Sequence, residues 1–234
     1  EKKSKIINEK DKEITAYHEV GHALVALITD NCDPLRKVSI IPRGMALGLT
    51  WTMPDEDNVH TSKRQLLARI SMVLGGRAAE NLIYGESYTG ATDDLNKVTD
   101  LARRIVTQFG MSERLGPIVF GKHNEHVFMG RDFGSDRNYG EEVAGAIDRE
   151  IKEIIDMRYE YTYNLLRDNR DVMDAVVKVL LEKETMDESE VREIYDRITA
   201  DREKKHSNGH VAHEDTPPSE QVVTAHAEEV PSDN

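Results

Sequence analysis

Apolar residues recur near the start of the chain with a period close to that of a helix. Ile14, Tyr17, Gly21, Leu24, Val25 and Ile28 form a broad apolar face in a stretch without proline, which predicts a helix beginning near Lys12 or Glu13. Asp30, Asn31, Asp33 and Pro34 are stop and turn signals, so the helix ends near Asn31. The pattern then changes to Val38, Ile40 and Ile41, followed by Leu47, Leu49 and Trp51, with Gly44 and Gly48 as punctuation. This reads as two short strands, or one strand and an irregular edge. Glycines there allow close backbone approach, which suits an edge that pairs with an extended peptide; the plainer reading is that they only make turns.

Ser62-Lys63-Arg64-Gln65 has the form of a capping box. The helix it opens carries Leu66, Leu67, Ile70, Met72, Val73, Leu74, Ala78, Ala79 and Leu82 and ends at Gly85. Gly75 and Gly76 inside it weaken the helix and mark close packing against another. A third helix opens within Tyr88–Leu95, so Asp93 and Asp94 fall in its first turn, where the helix N-terminus stabilises a carboxylate. Residues 110–140 are glycine-rich and irregular, and the runs Ile118-Val119-Phe120 and Val127-Phe128-Met129 could pair as a hairpin. From Glu141 to about Arg197 helical periodicity returns, with further helices around Asp171–Glu182 and Asp187–Ile198. Beyond about Asp201 apolar periodicity ends, the mark of a disordered tail.

Composition narrows the class. At 234 residues, 38% hydrophobic and 32% charged, the chain can bury one good core plus extras. A net charge of -13 without a Lys/Arg-rich run argues against a nucleic-acid partner and for a soluble acidic surface. The single cysteine, Cys32, excludes an internal disulfide, fits a reducing compartment and reads as a loop residue. No apolar run reaches the length of a membrane span. The chain begins abruptly, with a charged lead-in from Glu1 to Lys12 that reads as a linker arriving from something upstream.

The candidate chemistry lies in His18-Glu19-Val20-Gly21-His22. Histidines four residues apart on a helix share one face and can reach a single ion, with Glu19 beside them as a base for a bound water. A hydrolytic zinc site needs a third protein ligand and an open position. The metzincin continuation would place Gly and His where Val25 and Ile28 stand, so that scheme is excluded. A carboxylate on another helix remains: Glu80 and Asp94 are the leading candidates and Asp93 the third, and the chemistry alone does not rank Glu80 against Asp94. His123 and His126 are three apart but read as a solvated loop. His206, His210, His213 and His226 lie in the tail and receive no function.

Several stretches together resemble the peptidase domain of the FtsH family of membrane-anchored, ATP-dependent zinc metalloproteases. They are Ala16-Tyr17-His18-Glu19-Val20-Gly21-His22-Ala23, Val38-Ser39-Ile40-Ile41-Pro42-Arg43-Gly44, Ala46-Leu47-Gly48, Leu74-Gly75-Gly76-Arg77-Ala78-Ala79-Glu80, Thr89-Gly90-Ala91-Thr92-Asp93-Asp94-Leu95 and Phe109-Gly110-Met111-Ser112. The resemblance runs from about Ile14 to Arg197. It implies a mainly α fold with a small β element near the site and a C-terminal helical subdomain. It also implies one zinc ion per chain, held by His18, His22 and Asp94, with Glu19 catalytic and Glu80 demoted to packing or to supporting a ligand.

The resemblance further implies homo-hexameric rings, unfolded polypeptide as substrate, and an edge strand near the zinc. Ile40, Ile41, Gly44, Leu47 and Gly48 are the candidates to touch substrate there. Full-length members carry membrane helices and an AAA+ ATPase module and act at the cytoplasmic face of the inner membrane. This chain has no Gly-x-x-x-x-Gly-Lys-Ser/Thr loop, so it is expected to be a soluble peptidase part, or a relative working without an unfoldase. The expected organisation is a linker over 1–12, a peptidase domain over 13–199 (catalytic helices about 13–110, C-terminal helices about 136–199) and a tail over 200–234. The competing expectation is a catalytically idle helical assembly module whose metal only braces a ring.

Overall fold

The computed structural model describes residues 8–42, 47–53, 60–121 and 139–209. Helix α1 spans Glu9–Ile28 and starts earlier than periodicity predicts, because the Asn8 side chain accepts a hydrogen bond from the Asp11 backbone N–H at 2.7 Å and so caps the first turn. Residues 19–26 are all buried, which makes α1 a core helix despite the Glu and His it carries.

Strands β1 (Leu35–Ser39) and β2 (Leu49–Thr52) follow and pair antiparallel, with a register shift between Leu35 and Lys37. A third strand, β3 (Thr185–Asp187), joins from far along the chain, giving the order β2-β1-β3. β1 is therefore central, and β2 keeps one edge without a strand neighbour among the described residues. β3 is too short to announce itself in the sequence. Its one buried side chain, Met186, pairs with Val38.

Helix α2 (Lys63–Tyr84) begins with the expected capping box on Ser62 and Gln65 and ends at Gly85 in the left-handed conformation. A 3-10 turn at Thr89–Ala91 leads into α3 (Thr92–Thr107), with Asp93 and Asp94 in its first turn. The long C-terminal periodic segment resolves into α4 (Glu141–Asp168) and α5 (Arg170–Lys183), followed after β3 by α6 (Glu188–Gly209). Asp187 opens α6, its side chain accepting from the Glu190 N–H while the Glu190 carboxylate accepts from the Asp187 N–H. Helix continues past Asp201 to Gly209, which corrects the expected start of the tail: the polar residues there carry no apolar periodicity but offer strong helix formers. Of the proposed hairpin, Ile118 and Val119 are exposed and outside any strand, while 127–129 lie outside the described residues, as do His123, His126, His210, His213 and His226.

The chain is mainly α with a small sheet. It divides into a unit of residues 1–198 and a second of 199–234. Among its described residues the first unit holds two apolar cores. Leu24, Leu35, Met173, Leu180 and Met186 belong to one, built from α1, the sheet, α5 and the start of α6. Ile70, Leu74, Ile105 and Ile147 belong to the other, built from α2, α3 and α4. In the second unit the described residues are helical. Among the described residues no helix is long and apolar enough to cross a membrane.

Candidate metal centre

The centre forms where α1 crosses α2 and meets the first turn of α3. The crossing is close because both helices lack side chains at the contact: a Cβ on Gly21 would lie 2.4 Å from the Gly75 carbonyl oxygen, and one on Gly75 would lie 2.6 Å from the Gly21 oxygen. Gly76 leaves room for the His18 ring, which a Cβ there would meet at 2.4 Å. The glycines that weaken α2 as a helix thus let the imidazoles sit down against it.

His18 Nε2, His22 Nε2 and Asp94 Oδ2 converge. The two nitrogens are 3.1 Å apart, and each lies 3.2 Å from the aspartate oxygen. The other ring nitrogens fix what these atoms can do. His22 Nδ1 lies 2.8 Å from the Met72 carbonyl oxygen, which only accepts, and 3.3 Å from the Gly76 backbone nitrogen; the shorter contact decides the tautomer, so Nδ1 carries the hydrogen and Nε2 turns a lone pair inward. His18 Nδ1 is 2.8 Å from Glu80 Oε1 and is oriented in the same way. Lone pairs from three atoms facing one point repel unless a cation lies among them. Metal–donor bonds of about 2.0–2.1 Å at tetrahedral angles set donors roughly 3.3 Å apart, close to the spacing seen. Two imidazoles and a carboxylate are also a donor set that zinc accepts, so these residues fit the ion.

Electrostatics agree. Burial disfavours the His18 cation, yet hydrogen bonds to Asp94 and Glu80, with the charges of Glu19 and Glu80, outweigh it and push the imidazole up to about 9. Burial works against the Asp94 carboxylate as well, but its bonds to His18 and His22 prevail and hold it well below the usual carboxylate range. Lys97 Nζ bonds Asp94 Oδ1 at 3.3 Å and Asp93 Oδ2 at 2.7 Å, which leaves Oδ2 to face the histidines.

Glu80 is almost fully buried. Its second oxygen accepts from the Tyr88 N–H at 3.2 Å and faces Arg77 at 3.6 Å. Both oxygens are engaged on the far side of the His18 ring from Nε2, so Glu80 backs a histidine rather than joining the cluster. Asp93 points outward with its side chain 78% exposed and is not brought in. Among the described residues, His18, His22 and Asp94 are the group that could hold a metal ion.

Glu19 is buried on the next face of α1, and its Oε2 lies 2.7 Å from the Thr50 hydroxyl on β2. Gly48 packs on the same carboxylate, at a distance where a Cβ would meet Oε1 at 2.6 Å. Of the other candidates for touching substrate, Ile40 is a core residue whose N–H bonds the Glu184 carbonyl oxygen, so its side chain is unavailable. Ile41 and Leu47 are exposed, and Gly44 lies outside the described residues. Thr50 carried no signal in spacing or motif. The clue lay in the alternation Leu49, Thr50, Trp51, Thr52, which turns a polar residue to the face against α1.

A helical domain that turns two histidines and an aspartate onto one point, with a further carboxylate beside them, has the donor set of a metal-dependent hydrolase. The particular family follows from comparison: the model of peptidase family M41 matches residues 5–194, and the chain belongs to that family. It is 47% identical over 204 residues to the ATP-dependent zinc metalloprotease FtsH 3 of Symbiobacterium thermophilum, covering 87% of this chain and 33% of that protein. Against FtsH 1 of a Thermoanaerobacter species it is 48% identical over 195 residues, covering 83% and 32%. FtsH of Myxococcus xanthus is 48% identical over 191 residues, covering 82% and 30%. The chain thus spans about a third of the length of these relatives.

Proposed function

We propose that this chain is the peptide-bond-hydrolysing part of an ATP-dependent zinc protease, with one zinc ion held by His18, His22 and Asp94. The observation that carries the reading is the convergence of the three inward-facing donors at 3.1–3.2 Å. Zinc bound there supplies an acidified water and polarises a carbonyl oxygen. Glu19 takes the proton from the attacking water and delivers it to the leaving amide nitrogen. Glu80 and the Met72 carbonyl hold the two imidazoles in the tautomer that keeps Nε2 free. Among the described residues one edge of β2 has no strand neighbour, and such an edge offers backbone groups to an extended polypeptide, so the substrate is an unfolded chain read through its backbone, with little sequence preference.

The relatives' names carry the remaining parts. They are ATP-dependent, so an ATPase module belongs with this domain in the longer protein; a homo-hexameric ring at the inner face of a membrane is the assembly we propose for it. The peptidase domain is taken as starting with α1 at Glu9 rather than at residue 13, and as ending near residue 199. Loading the chain with zinc and assaying an unstructured, labelled casein tests the chemistry. Glu19→Gln retains zinc and loses at least about a hundredfold in kcat, while His22→Ala and Asp94→Ala lose both zinc and cleavage. Full cleavage by Glu19→Gln, or cleavage untouched by removing the metal, refutes it.

A further inference from the structure

We infer that Thr50 is a positioning residue for Glu19, fixing the carboxylate in the place from which it moves protons; the inference rests on Glu19 being the general base. Three observations on β2 and the residue before it support it. The Thr50 hydroxyl lies 2.7 Å from Glu19 Oε2 and 2.9 Å from the Glu19 backbone carbonyl oxygen, so one group ties side chain and backbone of the same residue together. The carbonyl already serves the helix ladder, which leaves the carboxylate as the stronger, charge-assisted acceptor. Gly48, two residues earlier, closes the other side: its Cα surface lies against Glu19 Cγ, Cδ and Oε1, with no room for a methyl group.

Glu19 is a long side chain with three rotatable bonds, and the contacts that hold its carboxylate come from outside α1, from Thr50 and Gly48. The grip comes from β2. Leu49 and Trp51 point outward and Thr50 inward, and pairing with Val38 on β1 sets its height on the sheet. The strand whose outer edge has no strand neighbour among the described residues therefore also holds the base, and a polypeptide laid along that edge meets a carboxylate already held in place. Thr50 touches Glu19 rather than the reacting atoms, so its loss acts on kcat and leaves substrate capture intact.

The test compares Thr50→Val, Thr50→Ser and Gly48→Ala in the zinc-loaded chain. It measures bound zinc, kcat and KM on labelled casein, and the place of the Glu19 carboxylate in crystal structures. Thr50→Val keeps one zinc per chain and a KM within about twofold, and loses about tenfold to a hundredfold in kcat, the scale of a misplaced group. Thr50→Ser restores the hydroxyl and recovers kcat to within about threefold. Gly48→Ala, whose methyl takes the space of the carboxylate, falls with Thr50→Val. In the crystals the carboxylate leaves Gly48 in Thr50→Val and stays in Thr50→Ser. A carboxylate unmoved in Thr50→Val, or Thr50→Ser as slow as Thr50→Val, overturns the inference. If Thr50→Val does not fold, Thr50→Ser and Gly48→Ala decide. Wild-type rates in Glu19→Gln would instead remove the general-base reading, and the crystal structures still report whether Thr50 holds the carboxylate.

Discussion

At the scale of single residues, the centre is built by engaging the outward-facing atom of each ligand. His18 Nδ1 faces Glu80, His22 Nδ1 faces the Met72 carbonyl, and Asp94 Oδ1 faces Lys97; what is left over points inward. Groups behind a ligand tune it nearly as strongly as the ligand itself, and removing one typically costs about 10- to 100-fold in metal affinity. Glu80→Gln keeps an oxygen for the His18 N–H but loses the charge that makes the ring a better donor. We therefore expect zinc affinity, measured against a competing chelator, to fall by about that factor with the fold intact. An unchanged affinity would show that the carboxylate contributes no more than packing. Cys32 shows the opposite use of burial. Its thiol is pushed up to about 11, first by burial and then by the Asp33 charge, with a backbone hydrogen bond and Arg69 only partly offsetting them. Alkylation by iodoacetamide at pH 8 is expected to run at least about a hundredfold slower than for a free thiol of pKa near 8.5, and to reach the free rate in denaturant.

At the scale of elements, the α1–α2 crossing is where helix propensity and packing disagree, and packing prevails. Gly75→Ala improves intrinsic helicity by about 1 kcal/mol, yet its Cβ would meet the Gly21 oxygen, the Gly21 carbonyl carbon and the His22 nitrogen at 2.6–2.8 Å. All three are backbone atoms, so the helices must part. We expect a net loss of about 1–3 kcal/mol in denaturant unfolding, the cost of overpacking, together with weaker zinc binding because His22 moves with its backbone. Gly145→Ala is the matched contrast. It lies inside α4 and its Cβ would approach only the Arg149 guanidinium, at 3.3 Å, a flexible group that can move aside. The same change there stabilises by about 0.5–1 kcal/mol. The element boundaries divide along similar lines. The capping box at Ser62 and the left-handed Gly85 are local chemistry and were readable. β3 owes its existence to β1 beside it, and the last turns of α6 have no apolar stripe to betray them, so neither could be read from periodicity.

At the scale of the molecule, the centre joins residues 76 positions apart, and that distance decides what could be read. His18 and His22 declare themselves because one helix sets their spacing. Asp94 does not: ranking it above Glu80 required either the family resemblance or the packing of α3 against α2, which brings its first turn to the histidines of α1, and Thr50 required the register of a strand against a helix. The same long-range assembly links metal, protons and stability. His18 has a pKa near 6.5 when exposed and about 9 in the fold, so without zinc its protonated form stabilises the fold fully below about pH 6.5, and that contribution fades as pH rises through about 9. Zinc requires the same nitrogen without its proton. Asp94 is held low and has already shed its proton across this window. Between pH 6.5 and 9 zinc binding thus displaces up to one proton from His18, and its affinity is expected to rise by about tenfold per pH unit. The thermal midpoints of zinc-loaded and chelator-treated chain diverge accordingly: the chelator-treated form declines, while the loaded form holds nearly level, because His18 carries no proton there in either the zinc-bound fold or the unfolded chain. Chelator competition at pH 6.5, 7.5 and 8.5, with unfolding followed in the same buffers, checks both trends; a zinc affinity flat across that range would mean that His18 does not bind the ion through the nitrogen facing Asp94.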